Sequence, residues 1–386
     1  MAGPEMHRAP WSRMPSPMDF RDRVILAPLT KGGNLPFRRL CVRFGCAVTT
    51  SEMAYAFQVV RNRPTELALL RKHADEPLFG VQLAASKPEP AIAAGLAAVA
   101  RGAAFVDLNC GCPIHDVVKR GMGATLLQRP AHLGRLVEAM VKALPVPVTV
   151  KIRLGWSDGD RNASEIARIV EESGASALCV HGRTREQRYT KAADWDAIAQ
   201  IVAERTIPVI GNGDILTWYE AEDLRARARC PSVMVGRGAL IKPWLFQEIA
   251  EGREFEPTAE QRVAIQRQFV VFMKEHFRDD EKGRKRAMFF LPWHLGFFCR
   301  YRPLPAARYR EQSRVHPLLQ TRLDFGEDLP VLEALLRDPR ENVHALLADA
   351  LWDAVDDADA VARYLAVAAA HPPAAGEAAE VATAHG

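Results

Sequence analysis

Eight short apolar runs recur up to residue 238, and they restrict the fold of this chain more than any other feature. They lie at 22–28, 46–53, 77–84, 104–110, 146–154, 177–182, 207–214 and 232–238. Helical periodicity fills the intervals, as in AHLGRLVEAMVKAL, where Leu133, Leu136, Val137, Met140, Val141 and Leu144 share one face. Strands that alternate with helices form parallel βαβ units. Eight such units within about 215 residues predict a closed (β/α)₈ TIM barrel.

A doubly wound open sheet is the alternative architecture. It is disfavoured because eight regular units exceed what such a sheet usually needs, and because no GxGxxG motif follows the first run. The rhythm stops after Trp244, and from about Thr258 the pattern is helical. We therefore expect an α/β barrel over 21–252 and an all-α domain over 257–345, with flexible ends at 1–20 and 365–386.

The charge of the C-terminal third is divided into two opposite blocks. Residues 253–320 contain 14 Lys and Arg against 8 Asp and Glu, and residues 321–386 contain 4 against 13. Aromatic residues interleave with the arginines of the basic block, which is typical of a surface that binds a polyanion. A solvated helix face explains the charge alone equally well.

The sequence indicates neither a membrane-spanning protein nor a disulfide-bonded one. No apolar run reaches the roughly 20 residues of a membrane span, and the N-terminus has no apolar signal region, so we expect a cytoplasmic, non-membrane protein. The seven cysteines form no CxxC pair, which argues against a disulfide framework and against a structural zinc site. We expect no bound metal and a monomer.

Polar side chains follow nearly every predicted strand, at the end where barrels keep their chemistry. Lys151 and His181 stand inside runs that otherwise read as buried, and a buried cation requires an anion or an acceptor. Structural ion pairs explain single residues of this kind but not a whole set. The set comprises Pro28, Leu29, Thr30, Gln82, Asn109, Cys112, Lys151, Arg153, His181, Arg183, Asn212, Asp214, Gly236 and Arg237.

Two glycine loops, Gly211–Asp214 and Gly236–Gly238, follow the last two predicted strands. In barrels these loops commonly form a phosphate site, because glycine lets backbone N–H groups approach the anion. A flavin mononucleotide fits the size of a barrel mouth, and a lysine near its pyrimidine edge would stabilise the reduced ring. Pyridoxal phosphate remains open, since Lys151 could equally form a Schiff base.

The motifs together resemble the tRNA-dihydrouridine synthase family, and are most similar to the subfamily that acts on a variable-loop uridine. The resemblance covers about residues 22–250 and is looser in RKRAMFFLPWHLGFFCRY of the helical region. The motifs that carry it are LAPLTKGGNLPFRRLC, LNCGCPI, VKIRLGW, VHGRTREQRYTKAADWDAI, PVIGNGDI and VMVGRGALIKPWLF.

This resemblance implies an FMN-binding barrel, a tRNA-binding helical domain, and NADPH-driven reduction of the uridine C5–C6 double bond. Cys112 would be the general acid that protonates C5, because a neutral thiol is mostly protonated at pH 7. Asn109, Arg153 and Arg183 would hold the uracil, and Lys119 and Arg120 would contact phosphate. FMN would be held by Pro28, Leu29, Thr30, Gln82, Lys151, His181, Asn212, Gly213, Asp214, Gly236 and Arg237.

Two other functions stay open at this point. One is a flavin barrel that acts on free pyrimidines, against which the HGRTR stretch and the basic helical region argue. The other is a catalytically silent RNA-binding protein, against which the joint presence of Cys112, Lys151, His181 and Arg237 argues. The chain also lacks the CCCH zinc fingers of eukaryotic members of the subfamily, so we expect an enzyme that acts without them. Its acidic end departs most from the family pattern.

Overall fold

Nine parallel strands form a single sheet in this computed structural model, which describes residues 19–321 and 329–372. They are β1 (Ile25–Leu26), β2 (Val48–Thr50), β3 (Ala54–Tyr55), β4 (Leu78–Ala84), β5 (Phe105–Cys110), β6 (Val148–Arg153), β7 (Ala177–His181), β8 (Val209–Asn212) and β9 (Val233–Val235). Pairing of β1 with β9 and of β2 with β4 closes eight strands into a barrel, and β3 extends the second run beside β4. The predicted TIM barrel is confirmed, with one barrel strand inside each of the eight predicted runs.

Side chains alternate between the two faces of each strand. On β5, Val106 and Leu108 face the surrounding helices, whereas Phe105 belongs to a separate apolar cluster with Ile25, Val48, Ala177, Cys179, Ile210 and Met234 of other strands. This cluster fills the inside of the barrel. A Cβ at Gly80 would lie 2.1 Å from the Phe105 ring, so the glycine on β4 makes the space that this ring occupies.

Helices alternate with the strands along the chain and pack around the outside of the barrel. The barrel region contains α1 (Leu35–Arg43), α2 (Ala56–Val60), α3 (Pro64–Leu69), α4 (Pro88–Val99), α5 (His115–Lys119), α6 (Pro130–Ala143), α7 (Ala163–Glu172), α8 (Trp195–Glu204), α9 (Trp218–Ala228), α10 (Arg237–Ile241) and α11 (Leu245–Glu251), with a 3₁₀ helix at Gly123–Gln128. The predicted face of α6 is buried at Leu133, Leu136, Val137 and Met140. Apolar side chains at helical spacing thus cover the outside of the barrel.

The C-terminal region is helical, as the fold class predicts. It contains α12 (Ala259–Phe277), α13 (Glu281–Ala287), α14 (Leu291–Phe298), α15 (Ala306–Val315), α16 (Val331–Leu336), α17 (Glu341–Asp353) and α18 (Asp357–Ala370), with a 3₁₀ turn at Leu318–Gln320. A capping box at Thr258, reciprocated by Gln261, begins α12 close to the predicted boundary at 257.

Helical structure continues past both limits that the sequence suggested for this region. The helical region does not end at 345 as predicted, because α17 and α18 extend to Ala370. Residues 365–370 therefore belong to a helix and not to the predicted flexible tail at 365–386. Tyr364 is fully buried and donates to Gln266 Oε1 at 2.8 Å, which attaches α18 to α12. The remainder of that tail, 373–386, lies outside the described residues.

Acidic side chains of these last helices pair with the basic block. Arg284 on α13 donates to Asp349 and Asp353 of α17, each at 2.7 Å, and Arg267 on α12 donates to Asp357 at 3.1 Å. The opposite charges of the two blocks therefore meet within the fold. These ion pairs are partly exposed and add little stability each, whereas buried side chains such as Tyr364 and Leu351 attach the last helices to the region.

The N-terminal expectation also needs a correction at its inner end. Phe20 is buried and meets Phe105 edge to face, with ring centres 5.9 Å apart. It therefore packs against the apolar cluster inside the barrel and is not part of a flexible end. Residues 1–18 lie outside the described residues.

Three features of the described residues concern membrane-spanning helices, metal ligands and cysteines. None of their helices is both long enough and apolar enough to span a bilayer. No group of three or more His, Cys, Asp or Glu side chains in these ranges could hold a metal ion. All seven cysteines are free thiols, and only Cys112 is not fully buried.

Candidate active site

The inward positions of the strands change from apolar to polar toward their carboxyl ends. Asn109 of β5 is in register with Lys151 of β6, and His181 of β7 is in register with Asn212 of β8. Gln82 of β4 stands beside Asp107 of β5. The structure therefore brings these predicted side chains to one mouth of the barrel, where (β/α)₈ enzymes keep their active sites.

A chain of hydrogen bonds crosses β4, β5 and β6 below this mouth. Thr149 donates to Asp107 Oδ1 at 2.6 Å, and Gln82 Nε2 donates to Asp107 Oδ2 at 2.7 Å. Asn109 Nδ2 donates in turn to Gln82 Oε1 at 2.8 Å. Burial raises the pKa of Asp107, while its hydrogen bonds to Gln82 and Thr149 oppose the shift. The chain fixes the orientation of both amide side chains.

Asn109 also determines where Cys112 lies. Its Oδ1 accepts from the backbone N–H of Cys112 at 2.9 Å and from that of Gly111 at 3.2 Å. The Cys112 carbonyl accepts from Ala124 N at 3.1 Å, so the segment 112–124 closes on itself. Gly123 has φ +60°, and a Cβ there would lie 2.8 Å from the Cys112 carbonyl oxygen. Only glycine fits this closure without strain.

The Cys112 thiol is half-buried and is kept in its neutral form. Burial raises its pKa above the ordinary value, more than a backbone hydrogen bond and the charges of Arg153 and Lys151 lower it. A thiol that retains its proton is suited to donate one. It is poorly suited to act as a nucleophile, for which the thiolate is required.

Lys151 carries a positive charge in the mouth without a paired carboxylate. Its Nζ donates to Asn212 Oδ1 at 3.0 Å, and Asn212 Nδ2 donates to the Met234 carbonyl at 2.8 Å. Within residues 19–321 and 329–372, no Asp or Glu lies within ion-pair distance of Lys151. A cation in this position favours a ligand that bears negative charge.

His181 lies beside Lys151 and is neutral. Burial lowers its pKa well below the ordinary value, and the charges of Arg153, Lys151, Arg183 and Arg237 lower it further. Arg183 Nη1 and His181 Nε2 are 3.2 Å apart. A neutral imidazole can offer one hydrogen-bond donor and one acceptor to a ligand.

Asp214 holds two arginines after β8. Its Oδ2 accepts from Arg183 at 2.5 Å and from Ala193 N at 2.8 Å, and its Oδ1 accepts from Arg237 at 3.0 Å. The side chains of Asp214 and Arg183 have no exposed surface, whereas that of Arg237 is 24% exposed. Arg237 therefore remains available to an anion that enters the mouth.

The first and last loops of the barrel meet beside Arg237. A Cβ at Gly236 would lie 3.7 Å from Leu29 and 3.8 Å from Ala27, which is ordinary van der Waals contact. Gly213 is tightly enclosed instead, since its φ is +139° and a Cβ would lie 2.5 Å from Ala193. Pro28 and Leu29 are half-buried at this place, and Thr30 is exposed.

The structure gives two predicted substrate arginines a different role. Arg183 does not line the open mouth, contrary to expectation, because its guanidinium is enclosed by Asp214, His181 and the Lys191 carbonyl. Arg153 is also buried, and it donates to the carbonyls of Gly111 and Thr184 at 2.9 and 3.0 Å. Arg153 thus connects the Cys112 turn to the loop after β7.

Two further predicted residues lie in the loops and short helices that follow the strands, which we call the rim of the mouth. Lys119 is the last residue of α5 and Arg120 caps it, and both side chains are exposed. They lie on the segment that begins with Cys112. Their expected contact with phosphate stays a prediction.

Sequence reasoning missed several residues of the mouth. Tyr189 lies 4.0 Å from the Arg237 guanidinium, and its ring is 6.1 Å from that of His181. Asp107 was detectable as a carboxylate inside an apolar strand, and Thr149 as its cross-strand neighbour. Glu52, whose pKa burial raises to about 6, accepts from Lys31 N at 2.5 Å and holds the first loop. Nothing in the local sequence distinguishes Tyr189.

Known proteins are similar to most of this chain. The family model for dihydrouridine synthase (Dus) matches residues 25–303. Proteins named tRNA-dihydrouridine(47) synthase (NAD(P)(+))-like are similar to this chain in Oryza sativa subsp. japonica (40% identity; 74% of this chain, 42% of the relative), Xenopus tropicalis (42%; 74% and 45%) and Homo sapiens (41%; 74% and 44%).

A more distant likeness exists among solved structures. Histamine dehydrogenase from Rhizobium sp. 4-9 matches 65% of this chain and 49% of its own, with a TM-score of 0.47 and 15% identity, which is too remote to indicate a function. The chain spans less than half the length of the three curated relatives. The match to the family model extends over most of the barrel and into the helical region, and the chain therefore belongs to the dihydrouridine synthase family.

Proposed function

We propose that this protein reduces the C5–C6 double bond of a uridine in tRNA, with FMN as cofactor and NADPH as reductant. Uridine, NADPH and one proton then become dihydrouridine and NADP⁺. The proposed target is position 47, because the curated relatives are named for that position. The chain covers under half of those relatives, so the activity is assigned to it here as a proposal.

The residues of the mouth fit a flavin mononucleotide. Arg237 offers a partly exposed cation to a phosphate, and the backbone N–H groups beside Gly236 would complete the phosphate site. Lys151 has no paired carboxylate among the described residues and suits the electron-rich pyrimidine edge of a flavin. Gln82, His181 and Asn212 supply donors and acceptors around it. Pro28, Leu29, Thr30, Gly213 and Asp214 would complete the site.

When bound, FMN would supply the hydride that reaches C6 of the uracil. Cys112 donates the proton that C5 requires, because burial keeps its thiol protonated. Asn109 holds the Cys112 backbone in place, and its amide would help to hold the base. Arg153 holds the Cys112 turn through the Gly111 carbonyl, and Arg183 lies against His181.

One observation carries this proposal above the others. A protonated thiol at Cys112 and an unpaired cation at Lys151 are held at the same mouth through Asn109, which bonds the Cys112 backbone and is the register partner of Lys151. A reductase of an electron-poor double bond requires an acid for one carbon and a site that stabilises a reduced cofactor. A silent RNA-binding protein has no use for this pair.

The target uridine lies within folded tRNA and must leave its stack to reach Cys112. Exposed cations of α13 and the rim, including Lys119, would contact the phosphate backbone in a manner tolerant of sequence. The helical region from α12 onward is the proposed tRNA-binding domain.

The proposal is tested by dihydrouridine formation in unmodified tRNA with purified, flavin-containing protein and NADPH. Cys112→Ala should lower product formation by about 10² to 10⁴, the usual contribution of a general acid, while bound flavin and NADPH oxidation by an artificial acceptor persist. Cys299→Ala, a thiol in the helical region, is the matched control and should keep activity. NADPH oxidation stimulated by free uracil and not by tRNA would contradict the proposal and favour a reductase of free pyrimidines.

A further inference from the structure

Two arginines from different parts of the rim converge on one aromatic ring. Arg61, which caps α2, has its guanidinium carbon 5.7 Å from the centre of the Phe57 ring. Arg120, which caps α5, lies 5.4 Å from the same centre. The segments that carry them are separated by more than fifty residues in sequence. The barrel thus assembles a pair of stacked guanidiniums that no local motif encodes.

Neither guanidinium is neutralised. Within residues 19–321 and 329–372, no carboxylate forms an ion pair with Arg61 or Arg120, and both side chains are exposed. Glu66, the acidic group of neighbouring α3, is occupied by Tyr55 N at 2.7 Å. Two like charges on one ring repel each other, and each gains only about 0.5–1 kcal/mol from stacking at an exposed site. An anion between them would remove the repulsion.

This pair lies beside the proposed proton donor. Phe57 and Cys112 pack against the same small apolar cluster of Ala84, Val117 and Met122. Arg120 belongs to the segment 112–124, which is closed by the bond between Ala124 N and the Cys112 carbonyl. A third cation, Arg129, lies near this segment, with Nη1 3.8 Å from where a Cβ of Gly121 would be. An anion held by Arg120 therefore bears directly on the position of Cys112.

We propose that Arg61 and Arg120, stacked on Phe57, bind the phosphodiester next to the uridine that is reduced. This inference rests on the proposed function. A uridine whose C5 reaches Cys112 brings its own flanking phosphates to this part of the rim. Arginine forks recognise phosphate oxygens through charge-assisted hydrogen bonds, and the aromatic ring keeps both forks oriented. Arg120 is thereby a positioning residue for Cys112 as well as a phosphate ligand.

The test measures binding of unmodified tRNA to the flavin-containing, full-length protein at several salt concentrations. Arg61→Gln and Arg120→Gln should each weaken binding roughly tenfold, the loss expected of one charge-assisted hydrogen bond. Each should also lower the slope of log K against log salt by about one. Phe57→Leu, which keeps apolar packing, should weaken binding in the same direction. Arg135→Gln, an exposed arginine on the outer helix α6, is the matched control and should change neither quantity.

NADPH also carries phosphate groups, so a second measurement tests whether Arg61 and Arg120 bind NADPH instead of tRNA. The rate of flavin reduction by NADPH without tRNA reports the other possible phosphate ligand. Weaker NADPH binding in Arg61→Gln and Arg120→Gln, with tRNA binding unchanged, would overturn the proposal. Arg120→Lys, which keeps the charge, should retain the salt slope and lose part of the affinity.

The outcomes also separate this inference from the function on which it rests. If the wild-type protein forms dihydrouridine and the Arg61 and Arg120 variants bind tRNA as Arg135→Gln does, only the phosphate site is wrong. If the wild-type protein forms no dihydrouridine in tRNA, the proposed function and the phosphate site are both wrong.

Discussion

Cys112 differs from the six other cysteines because it lies at the barrel mouth and not inside the core. Its backbone is fixed by Asn109, and its proton is retained because the thiolate would be poorly solvated. The proposed proton donor thus depends on a neighbour for its place and on burial for its protonation state.

The protonation state of Cys112 predicts the pH dependence of the tRNA step. In the proposed mechanism the protonated thiol is the active form, so activity should be retained below its raised pKa and lost as the pH rises through it. We expect the alkaline limb to lie above about pH 8.5, the value of an exposed thiol. Rapid-mixing oxidation of the reduced protein by tRNA between about pH 6 and about pH 10 measures this limb.

Cys112→Ser provides the control for that profile. A serine hydroxyl does not titrate in this range, so the variant should react slowly and without the alkaline limb. An unchanged limb in the serine variant would assign it to another group.

Asp214 is the second residue whose role depends on burial. Asp214→Asn leaves Arg183 and Arg237 without their shared anion, and breaking a buried ion pair costs about 3–5 kcal/mol. Asp196, which pairs with Arg227 on the surface, offers the matched variant, and Asp196→Asn should cost less than about 1 kcal/mol. Urea unfolding measures both free energies; equal losses would contradict the structural role of Asp214.

At the scale of elements, the turns after the strands carry the site. The turn after β8 places Asn212 toward Lys151 and Asp214 toward two arginines, and this reversal needs Gly213 with φ +139°. An L side chain rarely adopts that conformation, and Asp214 beside it also has a positive φ, of +50°. Two consecutive residues with positive φ therefore form this turn.

Gly213→Ala tests the turn. The new Cβ would lie 2.5 Å from Ala193, and with the strained backbone we expect a loss of about 1–3 kcal/mol and weaker retention of flavin. Gly159→Ala is the matched variant, because no atom lies within 4 Å of its added Cβ. Thermal unfolding and flavin content check both; full flavin content in Gly213→Ala would show that the turn tolerates a side chain.

At the scale of the whole molecule, the helical region docks on the first loop of the barrel. Lys31 lies 4.5 Å from the ring centre of Phe289, Asn34 and His294 are 3.2 Å apart, and Arg39 pairs with Glu275 at 2.5 Å. Phe289, which Lys31 contacts, follows α13 closely in the chain, so α13 lies on the side of the helical region that meets the barrel. The acidic helices α17 and α18 neutralise other cations of the basic block.

This division predicts which cations bind tRNA. Lys285→Gln with Arg286→Gln should weaken tRNA binding and lower the salt slope by about one per cation, because both side chains are exposed and form no ion pair with a described residue. Arg284→Gln, in the same helix, should leave the slope unchanged, since Arg284 is paired with Asp349 and Asp353. Salt-dependent tRNA binding measures both; equal slopes for the two variants would contradict the division.

Local pattern predicted the barrel and much of its mouth. The short apolar runs located every barrel strand. Asparagine is a favoured N-cap residue, and Asn34 caps α1 by accepting from Phe37 N at 3.1 Å. Asn162 occupies the same cap position at the start of α7, yet its amide donates to the Leu127 carbonyl at 2.7 Å and makes no cap bond. The sequence therefore indicated where α7 begins but not which group the Asn162 side chain bonds.

The sequence by itself determined the strands, the glycine turns and the residue types at the mouth, because these depend on periodicity and on backbone conformation within a few residues. Tertiary structure decided which polar groups face the mouth and which are enclosed: Arg183 meets Asp214 only when the barrel closes. It also brought the acidic helices onto the basic ones, and Arg61 and Arg120 onto one ring. Charge and stacking act through space, so pairs distant in sequence become neighbours only in the folded chain.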